Sequence, residues 1–295
     1  MMHSNALILC TALLVSISFW WGVNAVSENI ETVFYEKMLG YEGAYLATAA
    51  SINLQEALLN SLPAKKQAEN PALSAEAAFS VFVHENGNRK VLFEKNSQIP
   101  LPIASIAKLM TLHVAETYLP LESVYETYPA LLLASDNGAA EDIASRMGVH
   151  EFVQRMNEEA TTLGFESMFF VNPSGLDAQE GHNLASAQDV ALLLELVQQK
   201  HAGIFPLLAQ YQYELSEEDH ALFSTNQLLT DSDFPLRILG GKTGETSRAK
   251  QALVLMTNSP TETGYMVHVV LRSEDRFQDM KSLVRWVLDS YKWTL

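Results

Sequence analysis

Serine, lysine and asparagine recur in this 295-residue chain at spacings that could assemble a nucleophile, a base and an anion-binding strand. Ser105 and Lys108 stand three residues apart, just after Pro102 and inside an apolar, helix-forming run over 103–116. On a helix that spacing sets both side chains on one face, and a serine near the first turn meets free N–H groups that favour developing negative charge. The Ser105 hydroxyl attacks a carbonyl only if its proton is removed, and Lys108 can remove it only as a neutral amine. Desolvation or a nearby cation must therefore lower the lysine from its usual value of about 10.4, and Lys242 is a candidate for that cation. A capping serine followed by a solvated lysine has the same spelling, so the pair needs company to mean anything.

Two further strings supply it. Ser135-Asp136-Asn137 falls between an apolar stretch over 131–134 and a short helical pattern over 139–147, which places it on a helix–helix connection. There a second hydroxyl can pass a proton between the lysine and a leaving group, and the Asn137 amide can hold Lys108 and a substrate carbonyl. Lys242-Thr243-Gly244 is preceded by Gly240 and Gly241 and followed by Glu245. Small residues on a strand let a peptide lie against it as an added strand, with its terminal carboxylate near Lys242 and Thr243. Alone, the second string is an ordinary turn and the third a glycine-rich hairpin. Their combination in this order is far more specific.

Taken together, the three strings make the chain resemble the serine D-alanyl-D-alanine carboxypeptidases, the low-molecular-mass penicillin-binding proteins of peptidase family S11. The run from Pro102 through Ser105 and Lys108 to Thr111 is similar to the family's nucleophile helix. Asn172-Pro173-Ser174-Gly175-Leu176-Asp177 resembles the loop before a later helix, and Phe223-Ser224-Thr225-Asn226-Gln227-Leu228-Leu229 resembles the segment ahead of the Lys-Thr-Gly strand. The likeness runs from about residue 75 to about residue 291. It implies that Ser105 attacks the bond between two D-alanines and that Lys108 accepts its proton. It further implies that Ser135 and Asn137 relay protons and position the peptide, and that Lys242 and Thr243 hold the terminal carboxylate. The backbone N–H groups of Ser105 and Glu245 would form an oxyanion hole, with Gly244 and Asn226 among the substrate-binding residues. The implied partners are peptidoglycan stem peptides, with β-lactams as covalent inhibitors. The chemistry needs no metal or organic cofactor. A D,D-endopeptidase of the same family is the alternative activity, followed by a catalytically impaired wall-binding regulator and, more weakly, a β-lactamase.

Three positions depart from the family pattern: Asp136 where glycine is frequent, Thr225 where some relatives carry a carboxylate-binding arginine, and Lys250 after the strand. Arg237 and Arg248 are the candidates to replace that arginine. Asp177 and His182 fall in a polar loop and read as solvated, and Glu166 reads as a surface residue.

The chain carries 19 basic and 35 acidic residues, a net charge of -16 that opposes binding to nucleic acid through a basic patch. Its single cysteine, Cys10, lies in an apolar, uncharged run over 6–23 long enough for a signal peptide or a retained membrane anchor. The expected organisation is a leader or anchor over 1–26, a stalk over 27–74 and a catalytic domain over 75–295, located outside the cytoplasm. The retained anchor is the favoured reading, because the run is long and a stalk-like segment follows.

The elements that must hold the site follow from periodicity. Phe79, Val81 and Val83 alternate ahead of Asn86-Gly87 and a return strand with Val91 and Phe93, a hairpin pattern. Helices are expected over 103–116, 139–147, 150–163 and 186–199, the last with Ser186 as N-cap and Asp189 completing an Asp variant of the capping box. Strands are expected over 240–243, 251–257 and 265–271. A final helix starts near Ser273, with Phe277, Met280, Val284, Val287 and Tyr291 as its apolar stripe. Strands from both ends around a helical middle predict an α+β fold: an antiparallel sheet flanked by helices, with a helical lobe, like the β-lactamase and D,D-transpeptidase folds.

Overall fold

The computed structural model describes residues 62–179, 181–215 and 221–293, together with Ser16. The chain divides into two units between Asn60 and Ser61, and the second carries every element discussed below. Apart from Ser16, the apolar run over 6–23 lies outside the described residues, as does most of the expected stalk; among the described residues, no helix is long and apolar enough to cross a membrane.

Five strands form the sheet: β1 (Ala77–His84), β2 (Arg89–Lys95), β3 (Ile238–Thr246), β4 (Lys250–Asn258) and β5 (Gly264–Ser273). Their order is β2-β1-β5-β4-β3 and every pairing is antiparallel. The first and last segments of the domain thus meet at the centre of the sheet, as the sequence pattern requires. The hairpin is also where Asn-Gly puts it, with Gly87 at φ +87 and Asn86 Oδ1 accepting from the Asn88 N–H at 2.9 Å.

Alternation along each strand divides the interior into two layers. Phe79, Val81, Val83, Val254, Met256, Val267 and Val269 face the helical lobe, while Ala78, Phe82, Leu253, Leu255, Met266 and Val270 face the C-terminal helix. Because both faces are covered, β1 is apolar almost throughout.

The helical lobe comprises α1 (Lys108–Tyr118), α2 (Asn137–Ser145), α3 (Val149–Thr162) and α4 (Ala187–Lys200). Ser186 caps α4 as expected, accepting from the Asp189 N–H at 3.1 Å. The capping box does not form. Asp189 instead accepts from the Ser167 N–H and hydroxyl at 2.9 and 2.6 Å, and Ser167 Oγ takes the Ser186 N–H at 2.7 Å. The shorter aspartate serves the neighbouring loop in place of its own helix end.

The last helix, α5 (Arg276–Ser290), starts three residues after the expected Ser273, because Asp275 caps it by accepting from the N–H groups of Phe277 and Gln278. Tyr291 falls beyond the helix and pairs with Lys65 in a small two-stranded sheet. Residues 62–74, expected as the end of the stalk, are laid along this layer: Ala64–Lys65 form the other strand of that pair, and the Ser74 N–H and hydroxyl donate to the buried Asp279 carboxylate at 2.9 and 2.7 Å.

Candidate active site

Ser105 occupies a 3-10 turn, Ala104–Ala107, that leads directly into α1. The expected helix over 103–116 is therefore tightened at its start, where Ala104 takes a positive φ of 47. Buried Ile103, Ile106 and Ala107 fix the turn beneath the sheet and lobe. Lys108, the first residue of α1, is fully buried. Its Nζ donates to Ser105 Oγ at 2.8 Å, Asn137 Oδ1 at 2.7 Å and the Ser174 carbonyl at 2.6 Å. Burial lowers Lys108 to about 8, against the opposing pull of the Asp136 and Glu141 charges. Desolvation thus does the work the sequence reading offered as one of two routes.

Asp136 resolves one departure from the family pattern. It is the N-cap of α2, accepting from the Ala139 N–H at 2.6 Å, and so fixes the entry of the helix whose first residue is Asn137. Ser135, at φ +58, turns its hydroxyl to the opposite wall, where Lys242 Nζ donates to it at 2.6 Å. Each lysine is thus bonded to one polar side chain of the same connection, Lys108 to Asn137 and Lys242 to Ser135.

Lys242 extends from β3 and is 1% exposed. Burial, then the charges of Lys108 and Arg276, hold it well below the ordinary lysine value. Thr243 follows, buried, with its hydroxyl against that of Thr225. β3 is an edge strand of the sheet, so one side of it is free to accept an added strand. A Cβ on Gly244 would lie 2.6 Å from the Ile103 carbonyl and 3.3 Å from the Ser105 N, so glycine is what lets β3 approach the nucleophile turn.

The other substrate-binding expectations fare differently. Glu245 is exposed, with its carboxylate 2.9 Å from Arg276 Nη1. Asn226 is buried, and its side chain caps the turn Gln227–Thr230 by accepting from the Leu228 N–H at 3.2 Å; none of its hydrogen bonds reaches the groups around Ser105. Lys250 lies on the hairpin rim at φ +49 and pairs with Glu274. Arg237 and Arg248 are both exposed. Arg276, at the start of α5, donates to the Gly244 carbonyl at 3.1 Å.

The loop after α3 contributes more than its polarity suggested. Besides the Ser174 carbonyl on Lys108, Thr111 donates to the Pro173 carbonyl at 2.6 Å. Gly175, at φ +86, approaches so closely that a Cβ there would sit 2.0 Å from the Ala104 carbonyl oxygen. Asp177, read as solvated, accepts from Thr246 and Ser247 hydroxyls at 3.0 and 2.9 Å and from the Arg248 N–H at 3.2 Å. It ties the loop to the turn that follows β3. His182 stands beside it at 3.3 Å. The sequence marked this loop only through family likeness, and nothing in its composition singles out a backbone carbonyl. Arg276 was legible only as one charge at the start of an amphipathic helix.

A sequence model of the family described as D-alanyl-D-alanine carboxypeptidase matches residues 118–274, more than half of the chain. This chain belongs to that family. The matched stretch contains Ser135, Asn137 and Lys242; the hydrogen bonds above tie Asn137 to Lys108 and Lys242 to Ser135. The D-alanyl-D-alanine endopeptidase of Pseudomonas aeruginosa is 27% identical over 277 residues, covering 80% of this chain and 85% of its own. The endopeptidase of Escherichia coli is 28% identical over 262 residues, covering 75% and 79%. Among solved structures, penicillin-binding protein D2 from Listeria monocytogenes in its cefotaxime-bound form superposes with a TM-score of 0.64 at 27% identity, covering 75% of this chain and all of that one. A D-alanyl-D-alanine carboxypeptidase from Mycobacterium tuberculosis shares the fold, with a TM-score of 0.67 at 21% identity and coverage of 79% and 99%.

Proposed function

We propose that Ser105 is the nucleophile of a serine-type D-Ala-D-Ala carboxypeptidase that removes the terminal D-alanine of peptidoglycan stem peptides. The observation that carries this reading is the continuous set of hydrogen bonds joining Ser105, Lys108 and Asn137, faced by Lys242 and Ser135 at the edge of β3. The peptide adds to β3, with its carboxylate at Thr243 and Lys242. Neutral Lys108 takes the Ser105 proton as Oγ bonds to the carbonyl carbon. The oxyanion is met by the N–H groups of Ser105 and Glu245. The Gly244 carbonyl is engaged by Arg276, and a trans peptide then turns the Glu245 N–H to the opposite side. When the C–N bond breaks, the departing amine takes its proton from Lys108, with Ser135 and Asn137 positioned to relay and align. Water releases the shortened peptide from Ser105. The five side chains named remain together despite Asp136, Thr225 and Lys250, which favours an active enzyme over an impaired regulator.

β-Lactams acylate Ser105 on this reading. Labelled penicillin on the wild-type protein and on Ser105→Ala, with D-alanine release from a D-Ala-D-Ala pentapeptide, tests it. An unlabelled wild type, or equal label on the alanine variant, contradicts it. The second reading is D,D-endopeptidase, favoured by relatives of that name that align over three quarters or more of this chain. Action on wall peptidoglycan supports a catalytic domain outside the cytoplasm, and the run over 6–23 is proposed as its membrane anchor. Recovery of only a soluble, processed form on fractionation contradicts the anchor.

A further inference from the structure

Shortly before Thr225 along the chain, two aromatic rings are left in water. Tyr211 is 42% exposed and Phe223 is 51% exposed, yet they meet edge to face with centroids 5.8 Å apart and planes at 61°. A short hairpin sets them there. Gln212–Glu214 pairs antiparallel with Ala221–Phe223, Gln212 stands opposite Phe223, and the Ser224 N–H donates to the Tyr211 carbonyl at 2.7 Å. Single exposed apolar residues are ordinary, but two rings prearranged face and edge on a surface offer a ready contact area.

Their position relative to the reaction is fixed by the next residues of the chain. Thr225, two residues after Phe223, donates its N–H to the Leu133 carbonyl at 3.1 Å and sets its hydroxyl against that of Thr243. On the reading given under Proposed function, Thr243 holds the carboxylate of the residue that departs. The hairpin beyond Thr225 therefore borders the leaving-group side of the scissile bond. A departing D-alanine presents only a methyl group beyond its carboxylate and has nothing to lay on these rings. The leaving residue of a D,D-cross-link is a diamino acid, and its side chain carries a second stem peptide away from the carboxylate on that side.

We propose that Tyr211 and Phe223 form a leaving-group platform that favours D,D-cross-linked peptides over free D-Ala-D-Ala termini. The inference rests on the serine D,D-peptidase reading and adds a specificity determinant to it. Both rings are exposed, so truncating them leaves the core intact. In the double variant Tyr211→Ala/Phe223→Ala, kcat/KM for a purified D,D-cross-linked muropeptide dimer falls by about tenfold, as expected for loss of aromatic contacts. Penicillin acylation, D-alanine release from pentapeptide and the thermal midpoint stay at wild-type values, and Tyr211→Phe retains dimer cleavage. An equal fall for dimer and pentapeptide, or no fall for either, overturns the platform. So does a wild type that labels with penicillin and leaves the dimer uncut. A wild type that fails to label overturns the Ser105 reading itself, and the platform with it.

Discussion

Lys108 Nζ lies 2.8 Å from Ser105 Oγ, on a lysine buried by the fold. The charged form of the amine is disfavoured by burial, which brings it to about 8. Since proton removal from Ser105 needs the neutral amine, acylation by penicillin should speed up as pH rises toward 8 and level off above it. Well below that value the second-order rate constant should climb by about tenfold per pH unit. Stopped-flow or gel-based labelling between pH 6 and 9.5 reads this directly. A rate already at its plateau at pH 6.5 contradicts Lys108 as the base.

Gly244 permits the approach of β3 to the Ser105 turn. In Gly244→Ala the new methyl meets the Ile103 carbonyl, a backbone atom that cannot rotate aside. The strand must shift by a fraction of an ångström or more, and misplacement on that scale costs on the order of a hundredfold in rate. The expected outcome is a folded protein, by circular dichroism and thermal midpoint, whose acylation rate has fallen by about that factor. A wild-type rate in this variant shows that β3 does not need to lie so close.

How much of this was readable in the chain depends on the kind of contact. The hairpin at Asn86-Gly87, the strands at 251–257 and 265–271 and the Ser186 cap follow from local chemistry, and they stand where the spelling puts them. The roles proposed for Ser105, Lys108, Asn137, Ser135 and Lys242 rest on residue type and order, and hydrogen bonds join the first three to one another and the last two to each other. What stayed hidden depends on distant approach. The Ser174 carbonyl reaches Lys108 across 66 residues, and Arg276 reaches Gly244 across 32. A backbone oxygen has no sequence signature, and an arginine on an amphipathic helix looks the same whether it faces solvent or a strand. Asn226 also needed the fold to be read: its side-chain oxygen caps its own turn, which a family-like segment does not reveal.

Arg276 is expected to act on the reaction through β3. Its guanidinium joins the Gly244 carbonyl to the Glu245 carboxylate, and its charge contributes to the depression of Lys242. Arg276→Ala removes the donor that fixes the Gly244–Glu245 peptide, so its kcat/KM for peptide should fall by about tenfold or more, the effect of losing a charge-assisted hydrogen bond. Arg276→Lys keeps the charge without the fork and should recover only part of this. Equal activity in all three proteins contradicts the positioning role.

Asp177 offers a related test from the other side of the site. Burial alone raises its carboxyl, but hydrogen bonds from Ser247, Thr246 and the Arg248 N–H hold it below its usual value. Asp177→Ala detaches the loop bearing Ser174 from the turn after β3. A stability loss of about 1 kcal/mol, together with slower acylation, is expected from removing these partly exposed bonds. Urea midpoints and penicillin labelling measure the two effects. An acylation rate unchanged in a destabilised variant limits the clamp to a structural role.

His268 and His201 are expected to make the fold sensitive to acid. His268 is wholly buried between β1 and β4, with Ser80 Oγ 2.9 Å from Nδ1 and Thr257 Oγ1 3.4 Å from Nε2, and burial lowers it to about 3. His201, at the end of α4, is lowered to about 4 by burial and then by the charges of His113 and Lys200. The unfolded chain binds a proton at each near pH 6.5. Between that value and the folded one, the unfolded state holds more protons, so stability is complete above about 6.5 and declines as pH falls. The slope contributed by each histidine approaches about 1.4 kcal/mol per pH unit in that window. Urea midpoints at pH 7, 6 and 5 should therefore fall progressively, and His201→Gln should flatten the decline while lowering stability at pH 7 through loss of its 2.9 Å contact with His113. A variant with the same pH slope as wild type assigns the acid sensitivity to other groups.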